Sequence, residues 1–228
     1  MSRTFFVTGT DTGVGKTLIT TGLLHAARQQ QLTTLAMKPL AAGCDATSEG
    51  LRNEDALALQ AAMTVKLDYE QVNPVALAEP IAPHLAAAGL GRRLSLDRLL
   101  GFCRGTLMNK ADLRLIEGAG GWRMPLNERE TLAGLPQALD IPVILVVGVR
   151  LGCLNHALLT QEAIMRDGVK IAGWVASQVE ADMPAQAGNL ETLRGALAAP
   201  CLGEVPFLSQ PTPEVVASYL DLEKLSKS

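Results

Sequence analysis

The chain has 228 residues and a formal net charge of −3 with no run of lysines or arginines, so nothing in its charge favours a nucleic-acid or anionic-membrane partner. No apolar run approaches ~18 residues, and the first residues lack a charged segment followed by an apolar core, so neither membrane anchoring nor export is expected. Cys44, Cys103, Cys153 and Cys201 are far apart with no Cys-x-x-Cys pair, which fits reduced thiols, a cytoplasmic location and a single domain, 1–228, that needs no disulfides.

A β-prone run at 4–8 leads directly into Gly9-Thr10-Asp11-Thr12-Gly13-Val14-Gly15-Lys16-Thr17, which opens a helix-compatible stretch at 18–30. Strand, glycine-rich turn and helix start read together as a phosphate-binding loop. Its backbone amides and the positive end of the helix dipole surround polyphosphate oxygens. Lys16 is then placed to reach the β- and γ-phosphates, and the Thr17 hydroxyl to ligate Mg²⁺. The strict pattern asks for glycine at position 10, where this chain has Thr10 and carries its glycine one residue earlier.

A second apolar run, 33–37, ends in Lys38-Pro39, which puts a lysine beside the phosphate loop. Asn53-Glu54-Asp55 opens a helical pattern at 53–63, and the stretch 67–83, with three prolines, shows no clear period and reads as a functional loop. A helix at 95–109 precedes the strand 113–116, whose end carries Glu117 and Gly118-Ala119-Gly120-Gly121, a run that either permits close backbone approach or is an ordinary flexible turn. Asp55 and Glu117 could complete an oxygen shell for Mg²⁺ with Thr17. Asp55 could equally be an exposed acid favoured by a helix dipole.

The strand 143–147 is followed by Gly152-Cys153-Leu154-Asn155-His156 at the start of a helix at 154–166, where Asn155 is either an N-cap or an anion-site residue. A strand at 171–175, a helix at 186–197 and a strand at 202–205 complete the series. The apolar runs are continuous rather than alternating, which predicts strands covered on both faces. Strands alternating with helices predict a single-domain, doubly wound, mostly parallel α/β sheet of the P-loop NTPase kind. Ligands in such sheets bind outside the carboxyl ends of the strands, where the loops at 9–17, 38–43 and 117–121 fall.

The phosphate loop, Lys38-Pro39, Glu49-Gly50-Leu51-Arg52-Asn53-x-Asp55-Ala56-Leu57, Val72-Asn73-Pro74, Glu117-Gly118-Ala119-Gly120-Gly121-Trp122 and Gly152-Cys153-Leu154-Asn155-His156-Ala157 together resemble the dethiobiotin synthetase family, in order along almost the whole chain. The resemblance implies ATP-dependent ureido-ring closure from 7,8-diaminononanoate and CO₂, with Mg²⁺, in a homodimer. It implies Lys16, Lys38 and Thr12 as catalytic residues. Nucleotide contacts fall to Gly13, Val14, Gly15, Lys16, Thr17, Leu18, Asp55, Glu117, Gly118, Ala119, Gly120, Ser177, Gln178, Pro206, Phe207 and Leu208, and metal ligation to Thr17, Asp55 and Glu117. Substrate contacts fall to Thr12, Lys38 and Ala42, and to Gly152, Cys153, Leu154 and Asn155, which would receive the carboxylate tail from the neighbouring subunit.

Four positions depart from the family's pattern. Gly13 stands where glutamate is common, Ala42 where relatives have serine, and Asn189 where some have tyrosine. Ser177 replaces an asparagine that reads the adenine edge, so weaker selection for ATP is expected. A partitioning-type ATPase would carry a second lysine where this chain has Asp11. A small-molecule kinase would share the phosphate loop but need no CO₂, and a nucleotide-gated binding module would not turn over.

Overall fold

The computed structural model describes residues 3–226. In chain order its elements are β1 (Arg3–Gly9), α1 (Lys16–Gln29), β2 (Thr34–Met37), β3 (Leu40–Ala41), β4 (Asp45–Thr47), β5 (Gly50–Arg52), α2 (Glu54–Ala62), α3 (Tyr69–Val72), β6 (Val75–Ala76), α4 (Pro83–Gly89), α5 (Leu96–Leu107) and β7 (Leu113–Gly121). They continue with α6 (Gly134–Leu139), β8 (Val143–Val149), α7 (Cys153–Arg166), β9 (Ile171–Gln178), α8 (Gln186–Ala196), β10 (Cys201–Val205), α9 (Pro213–Ala217) and a closing 3-10 turn, Leu222–Ser226.

Six strands form one parallel sheet in the order β10-β9-β8-β1-β7-β2. The chain leaves β1 toward the β2 edge, returns through β7, and then builds outward from the other side of β1, so the strand order reverses around β1. Successive strand residues face opposite cores. Phe5, Ile144 and Val146 join Ile19 and Leu23 of α1, Leu59 of α2 and Val216 of α9. Phe6, Leu145 and Val147 join Leu99 of α5, Leu135 of α6, Ala157 of α7 and Leu193 of α8. Both faces are covered, which is why the strand sequences are continuously apolar. Each fully buried large aliphatic side chain contributes about 1.5–3 kcal/mol, so these two layers are the main stabilising term.

The structure corrects three expectations. The stretch 67–83 is not a structureless loop: it holds α3, β6 and the first residue of α4, elements too short to show a period, with Pro83 at the first turn of α4. The third predicted strand does not end at Ile116 but runs to Gly121, so Glu117 lies within it, opposite Val7. The glycine run is therefore the end of β7 with a register shift against β1, not a flexible turn. Asn155 is not an N-cap: Gly152 occupies that position in a left-handed conformation, and α7 starts at Cys153.

Candidate active site

The phosphate loop leaves the carboxyl end of β1 and is tied to β8. Thr10 N donates to Val146 O at 3.0 Å, and Gly148 N donates to Thr10 Oγ1 at 3.3 Å. A Cβ at Gly9 would lie 2.5 Å from Val14 Cγ2, so the loop needs its glycine there, one residue ahead of the strict pattern. Asp11 accepts from Thr12 N at 2.8 Å and pairs with Arg150 at 2.6 Å. Sequence reading missed Arg150; its signal was a cation immediately past the strand that neighbours the loop. The helix α1 then begins with Gly15 as its left-handed N-cap and no side-chain cap, which leaves its positive end to an anionic ligand.

Beside this loop four side chains converge. Lys38 Nζ donates to Asp55 Oδ2 at 2.6 Å and to Glu117 Oε1 at 2.7 Å, and Thr17 Oγ1 donates to the same Glu117 oxygen at 2.7 Å. Glu117 is 0 % exposed, and its other oxygen, Oε2, has no hydrogen-bond partner among the described residues. Burial alone would push the Lys38 ammonium down, but Glu117 and Asp55 outweigh it and hold Lys38 above the ordinary lysine value. Burial likewise disfavours the Asp55 carboxylate, and Lys38 more than compensates, leaving Asp55 below the usual range. Among the described residues Lys16 donates to a neutral acceptor alone, Asp11 O, at 3.0 Å. Its burial is offset only in part by Glu117, so Lys16 is lowered to about 8.

These loops open on a crevice of about 1140 Å³. From the predicted set, its wall contains Thr12, Gly13, Gly15, Lys16, Thr17, Leu18, Lys38, Ala42, Asp55, Ala119 and Gly120. Pro80–Pro83 and Leu159, Thr160 and Ala163 of α7 close the other sides, and sequence reading did not place α7 there. Val14, Glu117 and Gly118 lie buried behind the wall. Ser177 and Gln178 end β9, next to β10 and the Pro206-Phe207-Leu208 segment that follows it, outside the crevice lining. Gly152, Cys153, Leu154 and Asn155 are also outside that lining, at the start of α7. Asn189 lies on α8, its side chain donating to Ala185 O at 3.0 Å, likewise outside the lining. Trp122, on the wall, donates from Nε1 to Asp167 Oδ2 at 2.8 Å, and Arg123 grips the same carboxylate through both oxygens. Among the described residues no group of three or more His, Cys, Asp or Glu side chains clusters as a metal site. No helix among them is long and apolar enough to cross a membrane.

A family model described as an AAA domain matches residues 3–215. The ATP-dependent dethiobiotin synthetase BioD of Cellvibrio japonicus is 58 % identical over 223 residues, covering 98 % of this chain and 97 % of that protein. The proteins of the same name from Marinobacter nauticus and Xanthomonas campestris are 53 % and 48 % identical, covering 98 % and 96 % of this chain and 97 % of each of theirs. Among solved structures, a ParA family ATPase from Chlorobium tepidum matches with TM-score 0.57 at 14 % identity, over 100 % of this chain and 96 % of that one. The septum site-determining protein MinD from Pyrococcus horikoshii, complexed with Mg-ADP, matches with TM-score 0.54 at 17 % identity, over 100 % and 90 %. Those two likenesses are of fold alone.

Proposed function

This chain belongs to the ATP-dependent dethiobiotin synthetase family and is an ATP-dependent ligase; from that premise we propose that it closes the ureido ring through a carbamate and a carbamic-phosphoric mixed anhydride. One amine of 7,8-diaminononanoate attacks CO₂ and loses a proton, giving a carbamate. A carbamate oxygen attacks the γ-phosphorus of ATP and ADP leaves. The second amine attacks the activated carbonyl carbon, phosphate departs with the bridging oxygen, and the ring closes with loss of a proton. A carbamate is a poor electrophile until phosphate provides the leaving group, and joining two anions requires positive charge at the point of transfer.

The observation that carries this reading is the convergence of Thr17, Lys38, Asp55 and Glu117 beside the phosphate loop. In the proposed roles, Gly13 to Leu18 hold the phosphates, with Lys16 on the β- and γ-oxygens. Thr12 and Lys38 orient the carbamate, and Ala42 flanks the diamine. The backbone of Gly118–Gly120 lies along the acceptor, while Ser177, Gln178 and Pro206–Leu208 take the nucleoside. Thr17, Asp55 and Glu117 suit Mg²⁺: they are oxygen donors for a hard cation, and Glu117 Oε2 is a buried acceptor without a partner among the described residues. Bound there, Mg²⁺ supplies neutralisation of the phosphate charge. Gly152–Asn155 lie outside the crevice of their own chain, which supports the reading that they receive the carboxylate tail of a substrate held by a second copy. The whole reaction is assigned to the cytoplasm.

A coupled assay with Mg-ATP, the diamine and radiolabelled bicarbonate tests the reading. Phosphate release and acid-stable label in equal amounts, both requiring the diamine, are expected; hydrolysis that ignores the diamine contradicts it. Repeated with CTP and GTP, the assay is expected to show weak preference for ATP, and strict ATP selection contradicts the role given to Ser177.

A further inference from the structure

The helix α3 and the Val72-Asn73-Pro74 motif that ends it have no part in the chemistry above, yet they carry a buried hydrogen-bonded chain behind it. Lys38 follows the last residue of β2, the edge strand of the sheet. The turn after α3 fastens it on both sides: Lys38 N donates to Val72 O at 2.8 Å, and Asn73 Nδ2 donates to Lys38 O at 2.7 Å. Asn73 Oδ1 accepts from the Tyr69 hydroxyl at 3.0 Å, and Tyr69 Oη accepts from Asn53 N at 2.7 Å. Asn53 is the N-cap of α2, its side chain accepting from Ala56 N at 3.2 Å, and Asp55 is the second residue of that helix. Tyr69, Asn53 and Asn73 are all buried. The Arg52 guanidinium lies over the Tyr69 ring, 4.2 Å from its centroid, and is held there by Glu49 and Glu70.

We propose that Tyr69 and Asn73 are positioning residues that set the distance between Lys38 and Asp55, and so place the Lys38 ammonium for phosphoryl transfer. The proposal rests on the role given to Lys38 above. The Tyr69 hydroxyl holds the N-cap of α2 directly and reaches the Lys38 backbone through Asn73, and both of its partners are buried, so nothing replaces it when it is removed. A misplacement of a catalytic group by about 1 Å costs as much as about a hundredfold in rate.

The test compares Tyr69→Phe, Asn73→Ser, Leu67→Ala and Lys38→Gln in steady-state kinetics and thermal unfolding. Tyr69→Phe removes the hydroxyl. Asn73→Ser breaks the Lys38 arm and leaves Tyr69 on Asn53, so it serves if the first variant does not fold. Leu67→Ala removes buried packing from the same segment without touching the chain of bonds. Tyr69→Phe and Asn73→Ser are expected to lower kcat about tenfold with KM for ATP unchanged within about twofold, while Leu67→Ala keeps kcat despite a lower Tm. Retention of kcat by both relay variants overturns the proposal, as does an equal loss in Leu67→Ala. Impaired Lys38→Gln alongside normal relay variants removes the relay alone. Full turnover in Lys38→Gln removes the role of Lys38 and the relay with it.

Discussion

Lys16 and Lys38 bring like charges to one crevice, but their partners differ. Lys38 lies between two carboxylates, whereas Lys16 has a peptide oxygen as its acceptor. Lys16→Gln is therefore expected to weaken nucleotide binding by about 1.5–3 kcal/mol, the value of a charge-assisted hydrogen bond, and to lower turnover as well. Lys38→Gln is expected to leave nucleotide affinity near normal and cut kcat about a hundredfold, as loss of a transition-state donor does. Calorimetric affinities set beside kcat check both, and full activity in the Lys38 variant contradicts its role. The Lys16 value of about 8 also gives a pH signature. Phosphate oxygens favour the ammonium and raise that value in the complex, so ATP affinity is complete below about 8 and declines as pH rises through it, with proton uptake on binding. Calorimetry in two buffers of different ionisation heat checks this. An affinity flat from about pH 7 to about pH 9, or a decline that persists in Lys16→Gln, contradicts it.

The phosphate loop is the element whose sequence and geometry agree most closely. Gly15 has φ 85°, and a Cβ there would lie 2.8 Å from Ser177 Oγ, so two constraints meet at one residue. Gly15→Ala is expected to cost about 1–2 kcal/mol of stability for the left-handed conformation alone, and to weaken nucleotide binding. Adding Ser177→Ala relieves the contact but not the backbone strain, so the double variant is expected to recover only part of the loss; thermal unfolding and ATP affinity of both variants check it. The loop was legible because glycine spacing, the lysine and the flanking periods are all local. The Ser177 contact was not, since it joins residues 15 and 177 through strand order. Glu117 was identified but misplaced, because an apolar run gives way to glycine before the strand ends. The relay in 67–83 was illegible as structure, because α3 has only 4 residues and β6 only 2. Its motif was nevertheless visible as a string, without a reason attached to it.

At the scale of the whole molecule, the strand order distributes the work. β1 carries the phosphate loop at the middle of the crevice. On one side, β7 and β2 deliver Glu117 and Lys38; on the other, β9 and β10 end in the segments proposed for the nucleoside. Continuous apolarity made the doubly wound sheet legible, whereas the order of its strands was left open. The proposed tail site begins beside Leu151, which is 90 % exposed. If this surface meets a second copy, Leu151→Asp is expected to shift sedimentation toward monomer and raise KM for the diamine more than KM for ATP. Unchanged sedimentation contradicts that placement.

Closure through the proposed mixed anhydride requires a carbamate oxygen to attack the γ-phosphorus. A single-turnover reaction with ¹⁸O-labelled bicarbonate, run faster than the label exchanges with water, followed by mass spectrometry of the released phosphate, shows where that oxygen goes. Transfer of one heavy oxygen into each phosphate, dependent on the diamine, is the predicted result. Phosphate that carries oxygen only from ATP and water would contradict the carbamic-phosphoric anhydride and the roles assigned around it.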